Sequence, residues 1–159
     1  MSERRIAKTM GFTELKTWLR HKHPMVLLDR VTDYEPGSFL SARVSATGAL
    51  DVFAGHFPER AIYPGSHLLQ AFSQAGIILL QLSSSRLRED ELTLVGSVEA
   101  RFFKIVVPGD ILELRLELDR VIENSYHFAG KFVVEGTRMA AFRASLVRVP
   151  VASLGSPLW

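Results

Sequence analysis

Between residues 55 and 74 the chain gathers side chains that can do chemistry. His56 stands in Gly55-His56-Phe57-Pro58, Tyr63 precedes Pro64-Gly65, and His67, Gln70 and Gln74 follow on what reads as a helix. An imidazole takes or gives a proton near neutral pH, and a helix N-terminus presents free N–H groups to negative charge. Taken singly, each residue also has a plain reading: His56 as a turn histidine, Gly65 as a permissive turn glycine, His67 as a packed or capping histidine. His67 sits three residues before Gln70, so the two share a helix face.

Composition narrows the chemistry. There are no cysteines, which excludes a disulfide scaffold, a thiolate zinc site and a cysteine nucleophile. The five histidines show no ligand spacing with Asp or Glu, so no metal is expected. Nineteen basic residues face seventeen acidic ones, with the signs interspersed. That balance lacks the basic stripe of a nucleic-acid binder. Met1-Ser-Glu-Arg-Arg-Ile-Ala7 carries charge with no apolar stretch behind it and does not read as a secretory signal. The helix's strongest apolar run, Ile77–Leu80, is far short of the roughly 20 residues of a membrane span. A cytoplasmic location is the default expectation.

The elements that must position these residues follow from periodicity. Residues 12–20 read as a short helix, with Thr13 as its cap and Leu15, Trp18 and Leu19 on one face. Residues 25–35 and 39–47 read as a hairpin about Pro36-Gly37. Pattern is lost from 48 to 65, and ordered loops of that length are often functional. A helix is expected at about 66–82, capped by Ser66 and apolar on nearly every face, hence buried.

The last third reads as four strands in a meander: 92–103, 111–121, 126–135 and 139–149. Leu112, Leu114, Leu116 and Leu118 alternate with Glu113, Arg115, Glu117 and Asp119, which marks one wet face and one buried face. The tail, 150–159, shows no clear element. With 47% hydrophobic residues over 159 positions, one domain spanning 1–159 with a core at 12–149 is expected. The class is α+β: an antiparallel sheet of about six strands wrapped around one long buried helix. Such a sheet has open edges, so dimerisation is expected.

The segment Phe53-Ala-Gly-His-Phe-Pro-Glu-Arg-Ala-Ile-Tyr-Pro-Gly-Ser-His-Leu-Leu-Gln-Ala-Phe-Ser-Gln-Ala-Gly76 resembles the signature of the 3-hydroxyacyl-ACP dehydratases of the FabZ/FabA type. Leu19–Arg30 looks like that family's N-terminal strand entry. Val98–Asp110 looks like its basic strand ending in Pro-Gly-Asp. The resemblance runs from about 12 to 149 and implies a hotdog fold. It also implies dehydration of a 3-hydroxyacyl chain held on the phosphopantetheine arm of acyl carrier protein, with no cofactor.

By the same resemblance, His56 would be the base for the α-proton and the Gly65 N–H would hold the thioester carbonyl. Phe57, Tyr63 and His67 would meet the substrate, and Gln74 and His21 would be structural. Arg101 and Lys104 would receive the acidic carrier protein, although a solvated strand face explains them equally well.

The family's acid is a Glu or Asp on the helix fourteen residues after the histidine. Here that position is Gln70. An amide donates hydrogen bonds but has no proton to release near neutral pH. Three explanations stand open. His67 or Tyr63 acts instead; the site is composite, with a related hotdog subunit supplying the carboxylate; or the glutamine was introduced to trap substrate. The assembly expected is a homodimer or heterodimer, or a higher oligomer. The competing functions are a non-catalytic acyl-ACP-binding or partner subunit, and an acyl thioesterase.

Overall fold

The structure is a computed structural model and describes residues 5–157. The expectations for residues 1–4 and for 158–159 of the tail lie outside the described residues. Its elements are α1 (Phe12–Leu15), β1 (Arg30–Glu35), β2 (Phe39–Ser45), α2 (Gly65–Ser83), β3 (Glu91–Phe102), β4 (Ile111–Ile122), β5 (Ser125–Val134) and β6 (Thr137–Pro150). One six-stranded antiparallel sheet runs β1-β2-β4-β5-β6-β3. α2 lies against its inner face and is buried continuously from Ala71 to Gln81. This is the hotdog arrangement.

Side-chain alternation decides which face meets α2. Leu112, Leu114 and Leu116 are buried beneath the helix, while Glu113, Arg115 and Glu117 are exposed on the other side. At Gly76 the helix nearly touches the sheet: a Cβ there would stand 2.8 Å from a Leu146 methyl and 3.4 Å from the Phe128 ring. A larger residue would push α2 off the sheet.

The strand order corrects the expected meander. β4, β5 and β6 form one, but β3 pairs with β6 at the far edge instead of with β4. The connection from β3 to β4 is not a hairpin. It crosses the N-terminal end of α2, where the Tyr63 N–H donates to the Val106 carbonyl (2.7 Å) and the Gly109 N–H to the Ala46 carbonyl (2.7 Å). It thereby delivers β4 alongside β2.

Smaller corrections concern ends. The first helix is one turn, continued by a 3-10 turn at Lys16–Trp18, and neither Thr13 nor Ser66 caps by its side chain; the N-cap positions are Gly11 and Pro64. The first strand starts at Arg30, not 25, because residues 25–27 are tied to α2 rather than to a neighbouring strand. The tail carries a 3-10 turn at Val151–Leu154.

The turn after α2 is held by one arginine. Arg148 of β6 donates to both Glu91 carboxylate oxygens (3.1 and 2.6 Å) and to the carbonyls of Ser85 and Arg86. With Arg148 bonded to it, the Glu91 carboxyl is held down at about 2. A carboxyl whose folded value is depressed stabilises the fold above its unfolded value and loses that contribution as pH falls through the folded one. Thermal melts between about pH 5 and pH 2 should therefore show a loss of Tm on acidification that is shallower in Arg148→Met.

Candidate functional site

The Gly-His-Phe-Pro loop is built on backbone bonds that return it to its start. A 3-10 turn at Asp51–Ala54 leads in, and the His56 N–H donates to the Val52 carbonyl (2.9 Å). Phe57 and Arg60 exchange N–H···O bonds (3.1 Å each), and the Ile62 N–H donates back to the His56 carbonyl (2.9 Å). The imidazole is half-buried and lies nearly parallel to the Phe57 ring, with centroids 4.3 Å apart. Its Nδ1 stands 2.7 Å from the Ile62 carbonyl oxygen. A carbonyl can only accept, so Nδ1 carries the hydrogen, and in the neutral ring Nε2 is the nitrogen with the lone pair. That tautomer is the one a base needs.

The helix end is close by in the chain and open. The first intrahelical bonds run from the His67 and Leu68 N–H groups to the Pro64 carbonyl, leaving the Gly65 and Ser66 N–H groups unused by the helix. The Phe102 ring covers Gly65 so closely that a Cβ there would lie 2.8 Å from it. A larger residue there would have to displace that ring, which is itself half-exposed. Phe102 was not singled out by sequence; an aromatic ending a mostly exposed strand carries no pattern that marks it.

His67 packs edge-on against Tyr63, with centroids 5.6 Å apart. Burial, with nearby His56 adding to it, lowers the His67 pKa below its ordinary value. Burial, reinforced by Asp29, pushes the Tyr63 phenol up to about 12. A neutral imidazole is a base and a phenol at that value holds its proton, so neither group matches an acid working near pH 7. Gln70 is half-buried on α2, on the His67 face.

Gln74 is fully buried. Its carbonyl oxygen accepts from the Leu27 N–H (2.9 Å) and its amide donates to the Met25 carbonyl (2.5 Å), tying residues 25–27 to the helix. Gln74→Leu strands both backbone groups and is expected to cost about 1–3 kcal/mol in a denaturant titration. The His21 pKa is lowered by burial.

Arg101 and Lys104 are exposed at and just beyond the end of β3. Arg101 pairs with Glu99 at 3.7 Å, a pair too exposed to contribute much stability. A concavity of about 640 Å³ on the outer sheet face is lined by Arg101, Arg115, Lys131, Arg138 and Arg143 together with Glu99 and Glu117. None of His56, Gly65 or Gln70 lines it. Among the described residues, no three His, Asp or Glu side chains cluster as metal ligands, and no helix is long and apolar enough to cross a membrane.

A six-stranded antiparallel sheet around a buried helix, with a histidine loop running into that helix's N-terminus, defines a hotdog protein. The FabA-like domain matches residues 19–143, and the chain belongs to that family. It is 54% identical over 155 residues to coronafacic acid dehydratase of Pseudomonas savastanoi pv. glycinea, covering 98% of this chain and 94% of that one. It is 40% identical over 136 residues to the 3-hydroxyacyl-[acyl-carrier-protein] dehydratase FabZ of Haemophilus ducreyi, covering 85% and 88%.

Among solved structures, the dehydratase heterocomplex ApeI:P from Xenorhabdus doucetiae superposes with a TM-score of 0.74 at 17% identity, over 95% of this chain and 96% of that one. A thioesterase from Haemophilus influenzae superposes at 0.64 with 12% identity, over 91% and 94%. These likenesses carry the fold alone, since one fold serves several chemistries.

Proposed function

We propose that this chain dehydrates 3-hydroxyacyl-ACP to trans-2-enoyl-ACP, with His56 as base and the N-terminus of α2 as the carbonyl site. The observation that carries this reading is the Nδ1–H bond to the Ile62 carbonyl, which leaves Nε2 free to accept a proton. His56 removes the α-proton. The Gly65 N–H, with that of Ser66 beside it, holds the thioester oxygen as charge develops. The C3 hydroxyl then leaves as water once it receives a proton, and the C2–C3 double bond forms. Both named dehydratase relatives support this assignment.

Gln70 cannot supply that last proton. We assign the acid to a second hotdog subunit carrying a carboxylate at the corresponding helix position. Among the described residues the outer edge of β3 is unpaired, and β3 carries exposed Leu94, Val95 and Val98, a surface suited to pairing with another subunit. The five cations of the concavity outnumber its two carboxylates, Glu99 and Glu117, and with Lys104 that excess suits an acidic carrier protein. Gln70 alone favours the second reading, a partner subunit without chemistry of its own.

Mass spectrometry of 3-hydroxybutyryl-ACP incubated with the Gln70→Glu variant, which supplies the missing carboxyl, tests the assignment. Loss of one water from the acyl arm supports dehydration, release of the free thiol of the carrier supports a thioesterase, and an unchanged but bound carrier supports the non-catalytic reading.

A further inference from the structure

α2 buries three polar side chains among its apolar ones: Ser73, Gln74 and Gln81, at 5%, 0% and 5% exposure. Gln74 has its two partners in residues 25–27. Gln81 donates to the Trp18 carbonyl (2.7 Å) and accepts from the Leu87 N–H (3.0 Å). Ser83 and Ser84, at the end of the helix, each donate to the carbonyl four residues back (2.6 and 2.7 Å). Ser73 does none of this. Its hydroxyl is buried and has no hydrogen-bond partner among the described residues. A buried, unsatisfied hydroxyl is a standing cost to the fold and calls for a partner.

The position of Ser73 says what kind of partner. Ser66, Gln70, Ser73 and Ile77 follow one another at helical spacing and share one face of α2. Burial deepens along that stripe: Ser66 is exposed, Gln70 half-buried, Ser73 at 5% and Ile77 at 6%. The stripe runs from the open helix end, where Gly65 offers its N–H, into the interior. Ser73 stands about 4.5 Å further along the axis than Gln70, and Ile77 about 6 Å beyond that. An acyl chain laid along that stripe would meet the Ser73 hydroxyl before the apolar Ile77.

We infer that Ser73 hydrogen-bonds an oxygen carried by the acyl chain beyond its reacting carbons. The substrate class is then an oxygen-bearing, polyketide-type 3-hydroxyacyl thioester in preference to an unsubstituted fatty acyl chain. A plain alkyl chain leaves the hydroxyl unpaired, and sites with unpaired buried polar groups reject such ligands. Ser73 is a specificity residue here, with no part in the proton transfers. The inference rests on the dehydratase reading above.

The test is hydration of N-acetylcysteamine thioesters by the full chain in a Gln70→Glu background, with and without Ser73→Ala. The probes are trans-hex-2-enoyl and its isostere trans-4-methoxybut-2-enoyl, in which an ether oxygen replaces the fifth carbon, and trans-5-methoxypent-2-enoyl with its heptenoyl counterpart. Crotonyl thioester, too short to reach Ser73, serves as reference.

Ser73→Ala is expected to lower kcat/KM for at least one ether relative to its alkyl isostere by about tenfold, one buried hydrogen bond's worth, with crotonyl turnover unchanged. It is also expected to melt no lower than its parent, since it removes an unsatisfied group and adds the best helix former. Equal effects on ether and alkyl probes, no effect on either, or a lower Tm would overturn the inference while leaving the dehydratase reading intact. Silence toward crotonyl thioester would instead overturn the dehydratase reading, and this inference with it.

Discussion

Gln70→Glu is expected to raise dehydration by the isolated chain by ~10²–10⁴, the range a positioned general acid contributes. The substitution changes one amide to a carboxyl of nearly the same shape, on a helix that is already buried and already aligned. Gln70 is half-buried, so the new carboxyl loses part of its hydration, which favours its protonated form and suits it to give up a proton. Neither of the two alternatives suits this work: burial lowers the His67 pKa, and Tyr63 keeps its proton up to about 12. Steady-state hydration of crotonyl thioester measures the gain directly. An unchanged rate would show that the missing acid is not what limits the chain.

His56→Ala should remove ~10²–10⁴ of whatever rate the chain or its Gln70→Glu variant has, since the α-proton then has no positioned acceptor. The loss should fall on kcat with the melting temperature little moved. The imidazole is half-buried and makes one hydrogen bond, to the Ile62 carbonyl, while the loop itself is closed by backbone bonds among Val52, His56, Phe57, Arg60 and Ile62. A variant that melts far lower would assign His56 a structural role instead.

Much of this site is legible in the chain because its signals are local. Gly55-His56-Phe57-Pro58 and Pro64-Gly65 lie within ten residues, and the loop between them folds on its own backbone bonds. The alternation from Leu112 to Leu118 is a period-two pattern that states its own buried face. The strand order is different in kind. β3 pairs with β6 because a connection crosses α2 and bonds to Tyr63 and Ala46, and a partnership between residues 102 and 140 leaves no mark on either strand alone.

Caps were misplaced for a related reason. Ser66 has the residue type of a cap, but the chain reaches α2 through Pro64, whose carbonyl accepts the first helical bonds. Ser73 was legible in principle: a serine inside a helix that is apolar on nearly every face has no wet side to turn to. Its significance emerges only when Gln74, Gln81, Ser83 and Ser84 are all found partnered and it is not.

On the proposed mechanism, His56 and the N-terminus of α2 form a dehydratase half-site that lacks only its acid. The most direct measurement is hydration of crotonyl thioester by Gln70→Glu beside Gln70→Glu/His56→Ala. The first should add water to the double bond and the second should be at least about a hundredfold slower, in keeping with the roughly 10²–10⁴ of a general base. Equal rates in the two variants, or silence in both while each melts cooperatively, would contradict it.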